Sequence, residues 1–398
     1  MRLAIIGDRG IPARYSGFST LVEQLAVRLV RDHGFDVSVY CRNHYYDNRP
    51  PEWNGVKCIY LPAPGGKSFE SIVHSNLAIA DAAVRGFDLC FVVDPGNAPF
   101  ALPLKARGMP TVFHTDGLGW KRRKWSALQR KYYRWSEKVC ARLATWLVTD
   151  SRAIQDYYER EYGAQSSFIP YSGEVGDDPD SAILDKLGLE PDGFYLAVAR
   201  MEPENNLDLI IRDYRKSRTQ APLVVVGGTP YPTEYSRSVM AEADERVRLV
   251  GGVYDSAALN ALYRRCRAYF HGHEVGGTNP SLLRAMHWGA PCVAIDVPFH
   301  REVLGPDALF FGGSGGDLGS IIDRIDGDSR LRQQLGRNAK RRSDSLYRWD
   351  AVAQGYASLF EAVAAHPSRK EASKVLAGTE VYRPEEFAEA EVPRAAAR

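Results

Sequence analysis

The sequence predicts an α/β protein made of two Rossmann-like, doubly wound domains. Three observations carry that expectation. Short apolar runs alternate with longer amphipathic ones through the first half; the alternation restarts after a polar break near residue 170; and glycine-rich loops follow several of the apolar runs. Such alternation implies parallel sheets covered on both faces, with ligands at the C-terminal strand ends. A length of 398 residues suits about two domains.

Composition narrows the class. Hydrophobic content of 44% and charged content of 25% are those of a soluble globular protein. A net charge of +2 argues against a general nucleic-acid binder, so any basic patch is local. The six cysteines are scattered without a CxxC pair, which favours free thiols in a reducing cytosol. The chain begins directly with a strand, so no signal peptide is expected. No apolar run reaches ~18 residues, so no membrane span is expected.

In the first half, strands are expected at Leu3–Ile6, Val37–Tyr40, Lys57–Tyr60, Leu89–Val93, Thr111–His114 and Trp146–Thr149, with helices such as Thr20–Val30 and Ser71–Arg85 between them. The loop Gly7–Phe18 holds Gly7, Gly10, Gly17, Arg9 and Arg14, but it is not GxGxxG, so the dinucleotide fingerprint fails. It reads as a phosphate or sugar loop or as a plain connection. His114 ends the fifth strand at the ligand edge, as a structural hydrogen-bond partner or a site residue; Asp116 follows, placed to orient it or bind a sugar hydroxyl.

Trp120–Arg142 interleaves nine basic residues with Trp120, Trp125, Tyr132, Tyr133 and Trp135 against one acid, Glu137. Bases with aromatics on a helix suit an anionic membrane surface, nucleic acid, or a solvated face with a packed side. The near-neutral chain favours the membrane over nucleic acid. Lys121, Arg122, Arg123, Lys124 and Trp125 are the candidate membrane or acceptor contacts.

Domain limits are expected at 1–170 and 171–345, with a closing helix at 346–366 and a disordered tail at 367–398. Second-half strands are expected at Tyr195–Ala199, Leu223–Val226, Val247–Leu249, Ala268–Phe270, Cys292–Ile295 and Ala308–Phe311. The pairs Asp178-x-Asp180 and Asp326-x-Asp328 sit in turn-like sequence without a preceding buried strand, so chance explains them better than Mg2+ binding. The most informative stretch is His271–Gly289. A strand runs into Gly276-Gly277-Thr278; Thr278 or Asn279 caps a helix with Pro280 at its first position; Gly289 and Pro291 end it. The Ser281 and Leu282 N–H groups are expected to point from a positive helix end, a site suited to phosphate. Arg200 and Gly227-Gly228 end two further strands of the second half, and three converging strand ends point to a diphosphate site, although Arg200 alone could be a surface ion pair.

The segments IIGDRGIPARYSGFSTLVEQLA, DGLGWKRRKW, TDSRAIQDYY, ARMEPENN and HGHEVGGTNPSLLRAM together resemble the GT-B glycosyltransferases, nearest to retaining family four in its bacterial rhamnosyltransferase-like branch. The resemblance covers most of residues 1–363 and implies two domains facing a central cleft. It implies a retaining hexosyltransferase moving a sugar, rhamnose from dTDP as first choice, from a nucleoside diphosphate to a saccharide or lipid-linked acceptor in polysaccharide assembly. It implies no cofactor beyond the nucleotide sugar, no obligate metal, and a cytoplasmic, peripheral location at the inner membrane face. Arg200 would neutralise the diphosphate; Gly276, Gly277, Thr278, Asn279 and Ser281 would hold donor sugar and phosphate; Gly17 would approach the diphosphate; Gly228 would be a further donor contact; Tyr254 would contact the base; His114 would line the sugar site and Asp116 would shape the donor or acceptor pocket. Asn205 stands where a lysine is usual. Glu274 would substitute for the first of two usual glutamates. Arg284 stands at the second, and a guanidinium cannot accept from ribose hydroxyls. The alternative is a catalytically impaired sugar-nucleotide-binding homologue acting as a partner subunit. A GT-B epimerase or phosphorylase-like enzyme is a further rival, without an evident pyridoxal lysine.

Overall fold

The structure is a computed structural model and describes residues 1–13, 17–64, 69–115, 117–173, 176, 178–229, 232–312 and 317–385. The chain divides into two units: residues 1–120, 127–171 and 349–398, and residues 121–126 and 172–348.

The first unit runs β1 (Arg2–Ile6), α1 (Gly17–His33), β2 (Asp36–Arg42), β3 (Glu52–Trp53), β4 (Val56–Leu61), α2 (Phe69–Arg85), β5 (Leu89–Val93), α3 (Leu102–Ala106), β6 (Thr111–Thr115), α4 (Ala127–Leu143), β7 (Trp146–Thr149), α5 (Arg152–Tyr162) and β8 (Ser166–Phe168). Its eight strands lie in the order β3-β4-β2-β1-β5-β6-β7-β8. Among the described residues only β3 pairs antiparallel. The central strand β5 is buried at all five residues, which is why it reads as an unbroken apolar run. The short edge strands β3 and β8 are not among the expected ones. Two or three residues without a sustained pattern carry too little periodicity to signal a strand.

The second unit runs α6 (Ala182–Leu187), β9 (Tyr195–Val198), α7 (Leu207–Lys216), β10 (Leu223–Val226), α8 (Glu234–Glu242), β11 (Val247–Gly251), α9 (Ser256–Arg265), β12 (Ala268–His271), α10 (Pro280–His287), β13 (Cys292–Ile295), α11 (Pro298–Leu304), β14 (Leu309–Phe311), α12 (Leu318–Gly327) and α13 (Ser329–Leu346). Its six strands take the order β11-β10-β9-β12-β13-β14, all parallel. The six expected strands are all present, shifted by no more than two residues at an end.

The chain then returns to the first unit with α14 (Trp349–Ala365) and α15 (Arg369–Leu376). Trp349, Tyr356 and Phe360 of α14 are buried, and Phe91 of β5 meets Tyr356 and Phe360 at ring separations of 5.4 and 5.2 Å. Each such ring contributes roughly 2–3 kcal/mol on burial. The expected disordered tail from 367 is corrected over its first part. Ser368 and Glu371 form a capping box at the start of α15, and Ala372, Leu376 and Tyr382 are buried. Residues 386–398 lie outside the described residues.

The chain just past the polar break near residue 170 is packed. Ser172 donates to the Tyr347 carbonyl at 2.7 Å, and a Cβ on Gly173 would lie 2.1 Å from the Leu283 carbonyl oxygen, so only glycine fits there. Asp180 accepts from the Ala182 N–H, Asp326 accepts from Tyr195 and Arg267 at 2.7 Å each, and Asp328 caps α13. These aspartates other than Asp178 thus have structural partners. All six cysteines are buried free thiols. Among the described residues no helix is long and apolar enough to cross a membrane.

Candidate functional site

Within the second unit, β9 and β12 lie side by side with Ala197 level with Phe270. Arg200 and His273 each follow three residues beyond these partners, leaving the sheet at its C-terminal edge. Arg200 is exposed. Asn205, itself buried, donates through its side-chain amide to the Arg200 carbonyl at 2.8 Å. Asn205 therefore shapes the Arg200 turn.

Beyond β12 the chain forms the anticipated glycine loop and helix. Asn279 is the N-cap of α10, with Pro280 in its first turn. The Asn279 side-chain oxygen accepts from the Ser281 N–H at 3.0 Å and from its hydroxyl at 2.7 Å. The cap thus engages one of the two N–H groups expected to point outward. Asn279, Pro280 and Ser281 are half-buried, whereas Gly277 and Thr278 are buried. Gly276 has φ +151°, with no atom within 4 Å of where a Cβ would stand, so glycine is required by the backbone and not by crowding. Gly228, at the end of β10, likewise has open space at its Cβ position. Leu282, Leu283, Ala285 and Met286 seat α10 on the sheet.

Behind the helix tip stand three imidazoles. His271 and His273 stack at 4.3 Å, and His300 meets His271 edge-on at 4.8 Å. The Tyr269 hydroxyl lies 2.8 Å from His271 Nδ1 and 3.2 Å from Ser281 Oγ. Burial holds all three histidines neutral. His271 is pushed far below the ordinary value and His300 to about 4; His273 falls to about 3, with His300, Arg200 and Arg122 adding to its burial. His273 was not among the expected site residues. The signal was there: Tyr269, His271 and His273 recur with the period of two that places side chains on one face of a strand.

The segment 121–126 belongs to this unit. Arg123 pairs with Glu274 at 2.6 Å and donates to the Asn206 side chain at 2.8 Å; Asn206 in turn donates to Glu274 at 3.2 Å and to the Gly272 carbonyl at 2.9 Å. Lys124 lies 3.3 Å from Glu202 and 4.0 Å from the buried Glu204. Burial and the charges of Arg200 and Arg122 lower the Lys124 amine, with Glu202 and Glu204 acting the other way. Two bases of the expected membrane patch are thus spent on carboxylates of this unit. Trp125 lies under the Lys124 ammonium at 5.3 Å, and Lys121 is exposed. Glu274, expected near the donor, carries this ion pair.

Arg284 is also engaged. It donates to Asn260 at 2.7 Å and to the carbonyl and hydroxyl of Ser256 at 2.8 Å each, which fastens α10 to α9. Tyr254 is 76% exposed. In the first unit, His114 is the last residue but one of β6. It is fully buried among Phe18, Phe91 and Tyr171 at ring separations of 5.3, 6.3 and 5.7 Å. Asp116 lies outside the described residues, and Gly17 begins α1. Among the described residues no group of three His, Cys, Asp or Glu could hold a metal ion.

The whole arrangement offers a positive helix tip, flexible glycine backbone, an exposed guanidinium and neutral imidazoles at one strand edge. This chemistry suits an anion carrying a polar, neutral group.

Residues 1–174 match the family model described as a domain of unknown function (DUF1972), and residues 181–342 match glycosyl transferases group 1. No curated protein matches the sequence. Among solved structures, sucrose-phosphate synthase from Thermosynechococcus elongatus aligns with a TM-score of 0.78 at 20% identity, over 92% of this chain and 99% of that one. The Anabaena protein HepE in complex with UDP-glucose gives 0.70 at 15% identity, over 91% and 99%. An alpha,alpha-trehalose-phosphate synthase (UDP-forming) from Burkholderia vietnamiensis gives 0.69 at 14% identity, over 93% and 99%. At such identities the likeness is one of fold, and that fold is GT-B.

Proposed function

We propose that this chain, whose residues 181–342 carry a glycosyl transferases group 1 domain on a GT-B fold, transfers a hexosyl group from a nucleoside diphosphate sugar with retained anomeric configuration. The carrying observation is the Asn279-capped tip of α10, flanked by the open Gly276 and standing one strand from Arg200. The diphosphate would rest on that tip and on the Arg200 guanidinium, which takes up the charge of the leaving group. His273, held neutral, would offer a ring nitrogen to a sugar hydroxyl without repelling Arg200. Tyr254 would stack on the base. Catalysis is then mostly positioning and charge stabilisation.

The acceptor in this reading is a saccharide or a lipid-linked saccharide of bacterial polysaccharide assembly, and the transfer needs no metal. Rhamnose from dTDP is the first donor to try. UDP stands beside it, because the HepE structures hold UDP or UDP-glucose. Calorimetry against dTDP, UDP and GDP tests the site, and turnover with dTDP-rhamnose in the presence of EDTA tests the reaction. Failure of all three nucleotides to bind overturns the reading.

One observation favours a second reading, a nucleotide-sugar-binding homologue without transfer activity. Arg284 is tied to Ser256 and Asn260, so the ribose hydroxyls lose their usual carboxylate acceptor. Nucleotide binding without transfer to any extracted acceptor supports it. An Arg284→Glu variant that binds nucleotide more tightly than the natural chain supports it further.

A further inference from the structure

We propose, on the reading of the α10 tip as the diphosphate seat, that Tyr269 is a positioning residue of the donor site: its buried hydroxyl carries one fixed line of hydrogen bonds from His271 to the cap of α10. The direction of each proton follows from the far end of the line. Asn279 Oδ1 has no hydrogen to give and accepts from the Ser281 N–H at 3.0 Å. It also lies 2.7 Å from Ser281 Oγ, so the serine hydroxyl donates to it. That spends the one Ser281 hydroxyl hydrogen, and Ser281 Oγ accepts from the Tyr269 hydroxyl at 3.2 Å. The one tyrosine hydrogen is spent in turn. The 2.8 Å contact between Tyr269 and His271 Nδ1 therefore takes its hydrogen from the imidazole. His271 is held neutral by burial and has one ring hydrogen, which sits on Nδ1. Its Nε2 is left as a buried lone pair without a hydrogen-bond partner among the described residues.

Tyr269 and His271 are both fully buried, so no water competes for these bonds and their geometry is set by the protein alone. The imidazole end is itself anchored. His271 stacks on His273 at 4.3 Å and meets His300 at 4.8 Å, and His300 donates through Nδ1 to the Ile295 carbonyl at 2.8 Å. One oxygen atom thus joins the imidazoles of β12 and its following loop to the first turn of α10. The tyrosine ring has a separate task. It packs on Tyr263 at 5.3 Å, a place phenylalanine fills equally well. Removing the hydroxyl alone therefore frees Ser281 to turn its oxygen away from the phosphate seat while the packing stays.

Calorimetry with dTDP, UDP and GDP on Tyr269→Phe, Ser281→Ala and the double variant tests the role. Each single variant binds the nucleotide taken by the natural chain roughly fivefold more weakly. The double variant stays within about twofold of the weaker single variant, because both changes cut one line, whereas independent contacts would multiply to about twenty-five-fold. Nitrogen-15 spectra of the histidine-labelled chain, with His271 assigned from a His271→Gln variant, read the line without nucleotide. They show His271 protonated at Nδ1, and its signal moves in Ser281→Ala, a change two hydrogen bonds away. That shift also decides the matter should Tyr269→Phe fail to fold. His271 protonated at Nε2, an unmoved signal in Ser281→Ala, undiminished nucleotide binding by Tyr269→Phe, or multiplied losses in the double variant each overturn the proposal. A natural chain that binds none of the three nucleotides overturns the diphosphate seat itself, and the role of Tyr269 falls with it.

Discussion

Arg123 pairs with Glu274 at 2.6 Å, and both reach Asn206, so a basic segment distant in sequence is bound into the loop that leads to α10. The two side chains are 48% and 32% exposed, so the pair adds little to stability, about 0.5 kcal/mol. Its weight lies in placing the loop. Glu274→Gln is expected to shift the melting temperature by less than ~2 °C while lowering kcat/KM about tenfold. Melting curves beside steady-state kinetics check this, and equal kinetics would remove Glu274 from the site.

The glycine loop offers a backbone test. Gly276→Ala forces a side chain into φ +151° without any steric clash. The strain is about 1–3 kcal/mol, and it falls on the loop nearest the helix tip. Asn279→Ala removes the cap from the Ser281 N–H and hydroxyl, at about 1 kcal/mol. Both variants should fold and bind nucleotide roughly tenfold more weakly by calorimetry.

His300 gives a pH dependence. It is fully buried, and its Nδ1 lies 2.8 Å from the Ile295 carbonyl, which fixes the neutral ring with the proton on that nitrogen. In the unfolded chain an imidazole titrates near 6.5; in the fold burial lowers His300 to about 4. As pH falls below 6.5 the unfolded chain takes up the proton first. Stability is therefore whole above 6.5 and drains away down to about 4, at most ~1.4 kcal/mol per pH unit. Melting temperatures between pH 7 and pH 5 should fall less steeply for His300→Gln than for the natural chain.

Glu137 has the opposite sign. It is 2% exposed, and burial raises its carboxyl to about 7, against the two tyrosine hydroxyls that favour the anion. The folded form is most favoured below the unfolded value of 4.5, and that advantage is lost as pH rises through about 7. Glu137→Gln keeps an acceptor for Tyr157 and Tyr162. It should stabilise the chain by about 1–3 kcal/mol at pH 8 relative to the natural protein. The difference should vanish near pH 4, as chemical denaturation at the two pH values would show.

The C-terminal segment gives a test of packing. Truncation after residue 367 removes α15 and the buried Ala372, Leu376 and Tyr382. A loss of roughly 3–5 kcal/mol in stability is expected from the apolar area exposed. An unchanged denaturation midpoint would show that α15 adds nothing to the first unit.

Much of the molecule was legible in the order of residues alone. The parallel strands, the Asn279–Pro280 helix start and the need for glycine at 276 are local matters. Each is set by side-chain period, by a missing N–H or by a backbone angle, and all of these can be read within a few residues. What only tertiary structure decided is which polar groups find each other. His114 stands at a strand end, as a site residue or a structural partner could, and the fold sets three aromatic rings around it. Arg284 and Asn205 were placed at the donor site by resemblance, and the fold shows that Ser256, Asn260 and the Arg200 carbonyl hold their side chains. Arg123 and Lys124 looked like surface charge until Glu274 and Glu202, some eighty residues or more away, came within ion-pair range. Periodicity reports which face a residue occupies, but charge pairing depends on distances through space, and those are defined only when the chain has closed on itself.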